Sequence, residues 1–124
     1  MVKNVLSAFL FGGAICFLGQ LILNFYISLG VPLQQAGNPT VATVIFIAAV
    51  LTGLGVFDDI ANLAGAGTAV PITGFANSVV SMAIEFRREG WVLGTGSKMF
   101  GLAGSVIMFG VVTAFIVGLI SALI

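Results

Sequence analysis

The side chains of this sequence that could do chemistry are few, and their spacing points away from bond-making. Asp58-Asp59 is the only adjacent acidic pair. Deep in an apolar medium, such carboxylates carry coupling protons or cations. At the edge of an apolar segment they instead cap a helix and mark topology. An acid at a bilayer centre costs about 2.5–3.5 kcal/mol. The pair stands at a segment boundary, so a gate or cation site and a capping role are both kept open. Cys16, Gln20, Asn24 and Ser28 recur at every fourth position, as do Thr73, Asn77 and Ser81. Residues four apart share one face of a helix. Such stripes line a polar path, or they hydrogen-bond to a neighbouring helix at about 0.6 kcal/mol per contact. Two glycine-rich runs are false leads. Gly65-Ala66-Gly67 lacks the third glycine and the preceding strand of a dinucleotide fingerprint, and Gly94-Thr95-Gly96-Ser97-Lys98 places Ser before Lys, the reverse of a phosphate loop. There is no histidine and one cysteine. The usual hydrolytic arrangements are therefore missing, as are a ligand set for a catalytic metal and a disulfide framework. No enzyme, metal or cofactor is expected.

These residues sit in a strongly apolar setting. Of 124 residues, 60% are hydrophobic and 6% charged, four basic groups balance four acidic ones, and the mean hydropathy is +1.25. That balance falls outside soluble globular domains. It reads as an all-α integral membrane protein forming a single membrane domain over residues 1–124. Zero net charge without a basic patch argues against nucleic acid as a partner. So few spans hardly enclose a path alone, and a homo- or hetero-oligomer is expected. Cys16 lies inside a long apolar run with Ile15 before it, where a lipoprotein signal has a small residue. It reads as a packing residue in a retained anchor.

Three segments are long enough to span: residues 5–29, which make about 37 Å of helix at 1.5 Å per residue, residues 40–57, and residues 99–124. Gly30-Val31-Pro32 ends the first, an uncharged loop covers 31–39, and residues 92–98 form a glycine-rich approach to the third. Between the second and third lies a different stretch, residues 60–84, with no charge, three glycines, a proline and several Thr, Asn and Ser. In hydrocarbon each unpaired N–H or C=O costs several kcal/mol, so a broken backbone survives only where protein or water shelters it. The pattern predicts a half-helix over 60–64 capped by Asp58 and Asp59, a break at 65–67 midway through the bilayer, and a second helix with Pro71 in its first turn. That second helix would end near Arg87-Arg88. It would open around residues 68–73 inside the membrane, with free N–H groups suited to an anion.

If the stretch enters and returns, the fold is three transmembrane helices plus a re-entrant broken helix hairpin. Lys3, Asp58-Asp59, Arg87, Arg88 and Lys98 then share one side and the other side holds no charge, as the positive-inside rule favours. The alternative is four spans, with residues 60–84 a Pro-kinked crossing helix. Gly90-Trp91 beside the arginines reads as an interface anchor. On the last segment Ser97, Gly101 and Ser105 form one ridge of small residues, and Gly110, Ala114, Gly118 and Ala122 form another. Such ridges pack against neighbouring helices or subunits.

One block of residues carries a resemblance. It runs Gly53-Leu54-Gly55-Val56-Phe57-Asp58, then Ala64-Gly65-Ala66-Gly67-Thr68-Ala69-Val70-Pro71-Ile72-Thr73-Gly74-Phe75-Ala76-Asn77-Ser78. It continues through Glu85, Gly90, Gly94-Thr95-Gly96-Ser97-Lys98-Met99-Phe100 and Ala103-Gly104-Ser105-Val106. This resembles the SpoVA membrane proteins of stage V sporulation, most closely the short AE type, to which the AC type is similar. The likeness covers essentially the whole chain. It implies an endospore former and a place in the spore inner membrane (the forespore membrane during sporulation). It implies a channel that moves dipicolinic acid, with calcium, into the developing spore and out during germination. The partners it implies are the sister AC-type membrane subunit and the other SpoVA proteins. It assigns no functional residue securely.

Residues and resemblance meet at the solute. Dipicolinate is a small planar dianion, and a helix N-terminus attracts a carboxylate without the full charge that would stall conduction. The candidate solute-lining residues are Gln20, Asn24, Gly65, Gly67, Thr68, Pro71, Thr73 and Asn77, with Asp58 and Asp59 as candidate gate or cation groups. Two other functions fit the same residues. One is a non-conducting accessory or assembly subunit whose small-residue ridges hold a conducting neighbour. The other is a subunit of an ion-coupled transporter that uses the acidic pair.

Overall fold

Without water to pair its N–H and C=O groups, an apolar stretch closes its hydrogen bonds within itself and becomes helix. The computed structural model describes residues 2–123 and contains no strand among them. Its helices are α1 (Val2–Ser28), α2 (Leu33–Gly53), α3 (Val56–Ala64), α4 (Ala66–Ala69), α5 (Ile72–Glu85) and α6 (Ser97–Leu123). A 3-10 turn covers Phe86–Glu89 and a wider helical turn covers Trp91–Gly96. Three helical runs are long and apolar enough to cross a membrane: Val2–Ser28, Leu33–Gly53 and Trp91–Leu123. The chain is thus an all-α protein with three candidate spans. Its residues fall into two compact units, one up to Ser81 and the other from Met82.

In the first unit α1 and α2 form a helical hairpin turned at Gly30, whose φ of +91° suits a residue without Cβ. Tyr26 Oη lies 2.8 Å from Thr43 Oγ1, and the Thr43 hydroxyl donates to the Pro39 carbonyl at 2.8 Å. With its one proton spent on Pro39, Thr43 accepts from Tyr26. The second span was expected over 40–57 after a loop; it starts at Leu33 and ends at Gly53. Pro39 lies inside the helix, where its ring deprives only one carbonyl of a donor. Ala36 is fully buried and accepts the Thr40 hydroxyl at 2.7 Å, which fixes this early turn.

The buried side chains of this unit are small. Ala36, Ala48, Ala64 and Ala76 are buried, with Thr40, Thr52, Thr68 and Thr73 and one large residue, Phe57. Phe9, Phe17, Phe46 and Leu63 point outward. Small buried residues let backbones approach, and large apolar side chains face the surroundings, which suits helices packed in lipid.

In the second unit the expected glycine-rich approach over 92–98 is helical. The Thr95 N–H reaches the Gly90 carbonyl at 2.9 Å, one residue beyond the usual helical spacing. The Thr95 hydroxyl donates to the Ala83 carbonyl at 3.4 Å, and the Lys98 ammonium lies 4.8 Å from the Phe86 ring centroid. The helix α6 buries no residue, so both small-residue ridges are open. The expected end of this span at Ile124 falls outside the described residues. Tyr26→Phe removes one interhelical bond and leaves Thr43 satisfied. It is expected to cost about 0.6 kcal/mol, read as a slightly lower unfolding midpoint of the purified protein in detergent.

Candidate functional site

The broken stretch is built from α3, α4 and the first turns of α5. Gly55, with φ +75°, is the residue that opens α3, and no side chain caps that end. The helix was expected to start at residue 60 with Asp58 and Asp59 as caps. It starts at Val56, and both acids lie exposed within its first turn. There they complement the helix dipole, because the positive φ of Gly55 already ends α2 and begins α3 without a side chain.

The break falls where the glycines predict it. Gly65 takes φ +54° and ψ −125°, which separates α3 from the single turn α4. Gly67 is needed for room: a Cβ there would strike the Ala8 carbonyl oxygen and lie 2.9 Å from the Ala8 Cα. The freed polar groups find local partners. The Ser7 hydroxyl of α1 donates to the Leu63 carbonyl in the last turn of α3. Thr68 donates to the Gly65 carbonyl at 3.2 Å, and Thr73 to the Thr68 carbonyl at 3.5 Å. Pro71 directly precedes α5, and its carbonyl accepts the Gly74 N–H at 2.9 Å.

The chain then comes back to the first turn of α3. Ala76 packs with Phe57 and with Ala48 of α2, and Asn77 lies within hydrogen-bond reach of Asp58 and Thr52. The turn is therefore the tip of a hairpin. It packs against Ser7, Ala8 and Gly12, roughly 8–15 Å from the first residue of a helix about 40 Å long, at 1.5 Å per residue. Gly67 seats only where α1 offers bare backbone, and Ala8 and Gly12 provide it.

The tip borders two spaces. One is a cleft of about 230 Å³ lined chiefly by apolar side chains such as Ile15, Leu18, Leu51 and Phe57, with Thr68 and Thr73 as its polar members. Both threonines are nearly buried, at 1% and 6% exposure, and both hydroxyls are engaged with backbone. The other space, about 460 Å³ and more polar, lies between Asn4–Ala8 of α1 and the stretch from Asn62 to Ala66. Gly65 belongs to the polar hollow and Thr68 to the apolar cleft.

The structure brings Gly65, Gly67, Thr68, Pro71, Thr73 and Asn77 together in one hairpin, with Asp58 at its open end. Gln20 and Asn24 are not among the residues that line the cleft. They are exposed on α1, where Gln20 Nε2 donates to Asn24 Oδ1 at 3.1 Å. The spacing of the stripe showed a shared face and not its direction. Thr52 and Ser7 were not singled out from the sequence. Each is an isolated hydroxyl on an apolar helix, with no pattern to mark it.

The matches to known proteins cover this whole site. The family model described as SpoVAC/SpoVAEB sporulation membrane protein matches residues 4–120. The chain belongs to the SpoVAC/SpoVAEB family. Stage V sporulation protein AC of Bacillus subtilis (strain 168) is 57% identical over 120 residues, which is 96% of this chain and 80% of the relative. No solved structure matches. This SpoVA-family chain is therefore a sporulation membrane protein, in a family whose description spans the AC and AE types.

Two outcomes test the site. Gly67→Ala is expected to cost about 1–3 kcal/mol through overpacking, whereas Gly101→Ala, with open space around it, leaves thermal unfolding unchanged. In a Cys16→Ser background, a membrane-permeant maleimide is expected to label Asn24→Cys and to leave Thr68→Cys and Thr73→Cys unmodified.

Proposed function

We propose that this SpoVA-family protein is a membrane subunit of a channel that moves dipicolinic acid, with calcium, across the spore inner membrane. Transport runs into the developing spore and, during germination, outward. The observation that carries this reading is the uncharged backbone break between a polar hollow and an apolar cleft, at Gly65, Gly67 and Thr68. A constriction of neutral polar groups passes a dianion without trapping it, since conduction requires weak binding. Thr68, Pro71 and Thr73 are the residues assigned to that constriction, and Asp58 and Asp59 stand at its edge as gate groups. Gln20 and Asn24 contribute through a neighbouring subunit, because their stripe is exposed on α1.

The partners are other SpoVA membrane subunits, with which the single chain completes an enclosed path. The bare α6 with its two small-residue ridges favours a second reading, in which the chain holds a conducting neighbour. Flux separates the two. The purified protein and its sister SpoVA subunit, alone and together in liposomes, are expected to pass dipicolinate only when this chain is present. Flux through the sister alone, equal to that of the pair, overturns the conducting role. In spores with normal protein levels, Thr68→Val or Pro71→Ala is expected to lower dipicolinate content several-fold, and unchanged loading removes the broken segment from the path.

A further inference from the structure

Asn77 is held at both ends of its amide. Its Nδ2 lies 3.5 Å from Asp58 Oδ1, and its Oδ1 lies 2.8 Å from the Thr52 hydroxyl. That hydroxyl is also 2.8 Å from the Ala48 carbonyl. The donor inventory fixes the order of these bonds. An ionised carboxylate only accepts, so Asn77 turns its NH2 toward Asp58 and its oxygen toward Thr52. The single Thr52 proton then has two acceptors, Asn77 and Ala48. One chain of hydrogen bonds thus joins α2, α3 and α5 at the open end of the hairpin.

We infer that Thr52 and Asp58 are positioning residues that make Asn77 a latch, closing the broken segment onto α2, and that solute passes only when this latch is undone. This rests on the channel reading given above. From the polar hollow onward, the closed arrangement offers a dianion no polar partner. The cleft is apolar, and the hydroxyls of Thr68 and Thr73 are spent on backbone carbonyls. Passage needs the hairpin to shift, and its backbone has turning points at Gly65 and at Pro71, which interrupt the helices. The tip is tied to α1 by the Ser7–Leu63 bond and the seat of Gly67. The open end is held by Asn77 and by the cluster of Ala48, Phe57 and Ala76, with Ile45, Leu51 and Ala61 packed against it.

The bonding at Asn77 is that of a device made to release. When Asn77 leaves, the Thr52 proton settles wholly on the Ala48 carbonyl, so α2 keeps no orphaned donor. Asp58 is exposed and exchanges the amide for water. A permanent clamp gains nothing from a shared proton, since an unmade buried bond is what makes opening costly.

The test is a reciprocal exchange in the complex with its SpoVA partners, reconstituted in liposomes loaded with dipicolinate. Asn77→Asp alone sets two carboxylates face to face and is expected to raise dipicolinate leak several-fold. Asp58→Asn combined with Asn77→Asp restores an amide facing a carboxylate, still with an acceptor for Thr52, and is expected to return the leak to the parent level. Thr52→Val, a milder change, is expected to raise it part-way. A second readout does not depend on transport. In a Cys16→Ser background, the disulfide yield between Ala48→Cys and Ala76→Cys reports closure, and it is expected to fall with Asn77→Asp and recover in the exchange. Leak and disulfide yield both unchanged in Asn77→Asp overturn the latch. So does an exchange that restores neither, or a variant set that lowers stability without changing leak. If no complex passes dipicolinate while the disulfide yield follows the exchange, the channel reading fails and the closing contact stands.

Discussion

A backbone that leaves the helix inside an apolar assembly frees N–H and C=O groups that hydrocarbon cannot satisfy, at several kcal/mol each. The rest of this structure depends on how that debt is met between Leu63 and Gly74. Ser7 reaches across from α1, Thr68 and Thr73 turn their hydroxyls back onto the turn, and Pro71 removes one donor from the count. Because the partners are local, the turn stays compact. A compact turn seats against α1 only with Gly67 facing Ala8. The placement of the tip and the division into a polar hollow and an apolar cleft follow from that seat.

Packing elsewhere in the first unit obeys the same economy. Hydroxyls on α2 return to their own helix, Thr40 to Ala36, Thr43 to Pro39 and Thr52 to Ala48. Two of them have a second partner across a helix boundary, Tyr26 for Thr43 and Asn77 for Thr52. A Ser or Thr bonded to its own helix carries no unmet proton into lipid, yet its oxygen remains an acceptor. Thr43 uses that oxygen to accept from Tyr26, whereas Thr52 shares its one proton between the Ala48 carbonyl and Asn77 Oδ1.

Much of this was legible in the sequence. Long uncharged runs give the three candidate spans, because length and apolarity are local properties of the chain. The break was legible for the same reason: Gly65, Gly67 and Pro71 restrict or free the backbone at their own positions. What failed to show was direction and partnership. The spacing of Gln20 and Asn24 defines a face, and only tertiary packing decides that this face points outward. Pro39 looked like a boundary, but the burial of Ala36 and the Thr40 bond carry the helix through it. Asp58 looked like a cap, since nothing in the run of residues reveals that Gly55 has already turned the chain. Thr52 gained its place from Asn77, twenty-five positions away, a distance no periodicity spans.

The lining of the cleft behind the tip has a further consequence. The cleft is partly open, and apart from Thr68 and Thr73 its lining is apolar, so a water molecule inside it finds few partners. A dry gap resists ions and protons without its walls touching, through the cost of stripping their hydration. On the channel reading proposed above, such walls would oppose ions by staying unwetted as much as by closing.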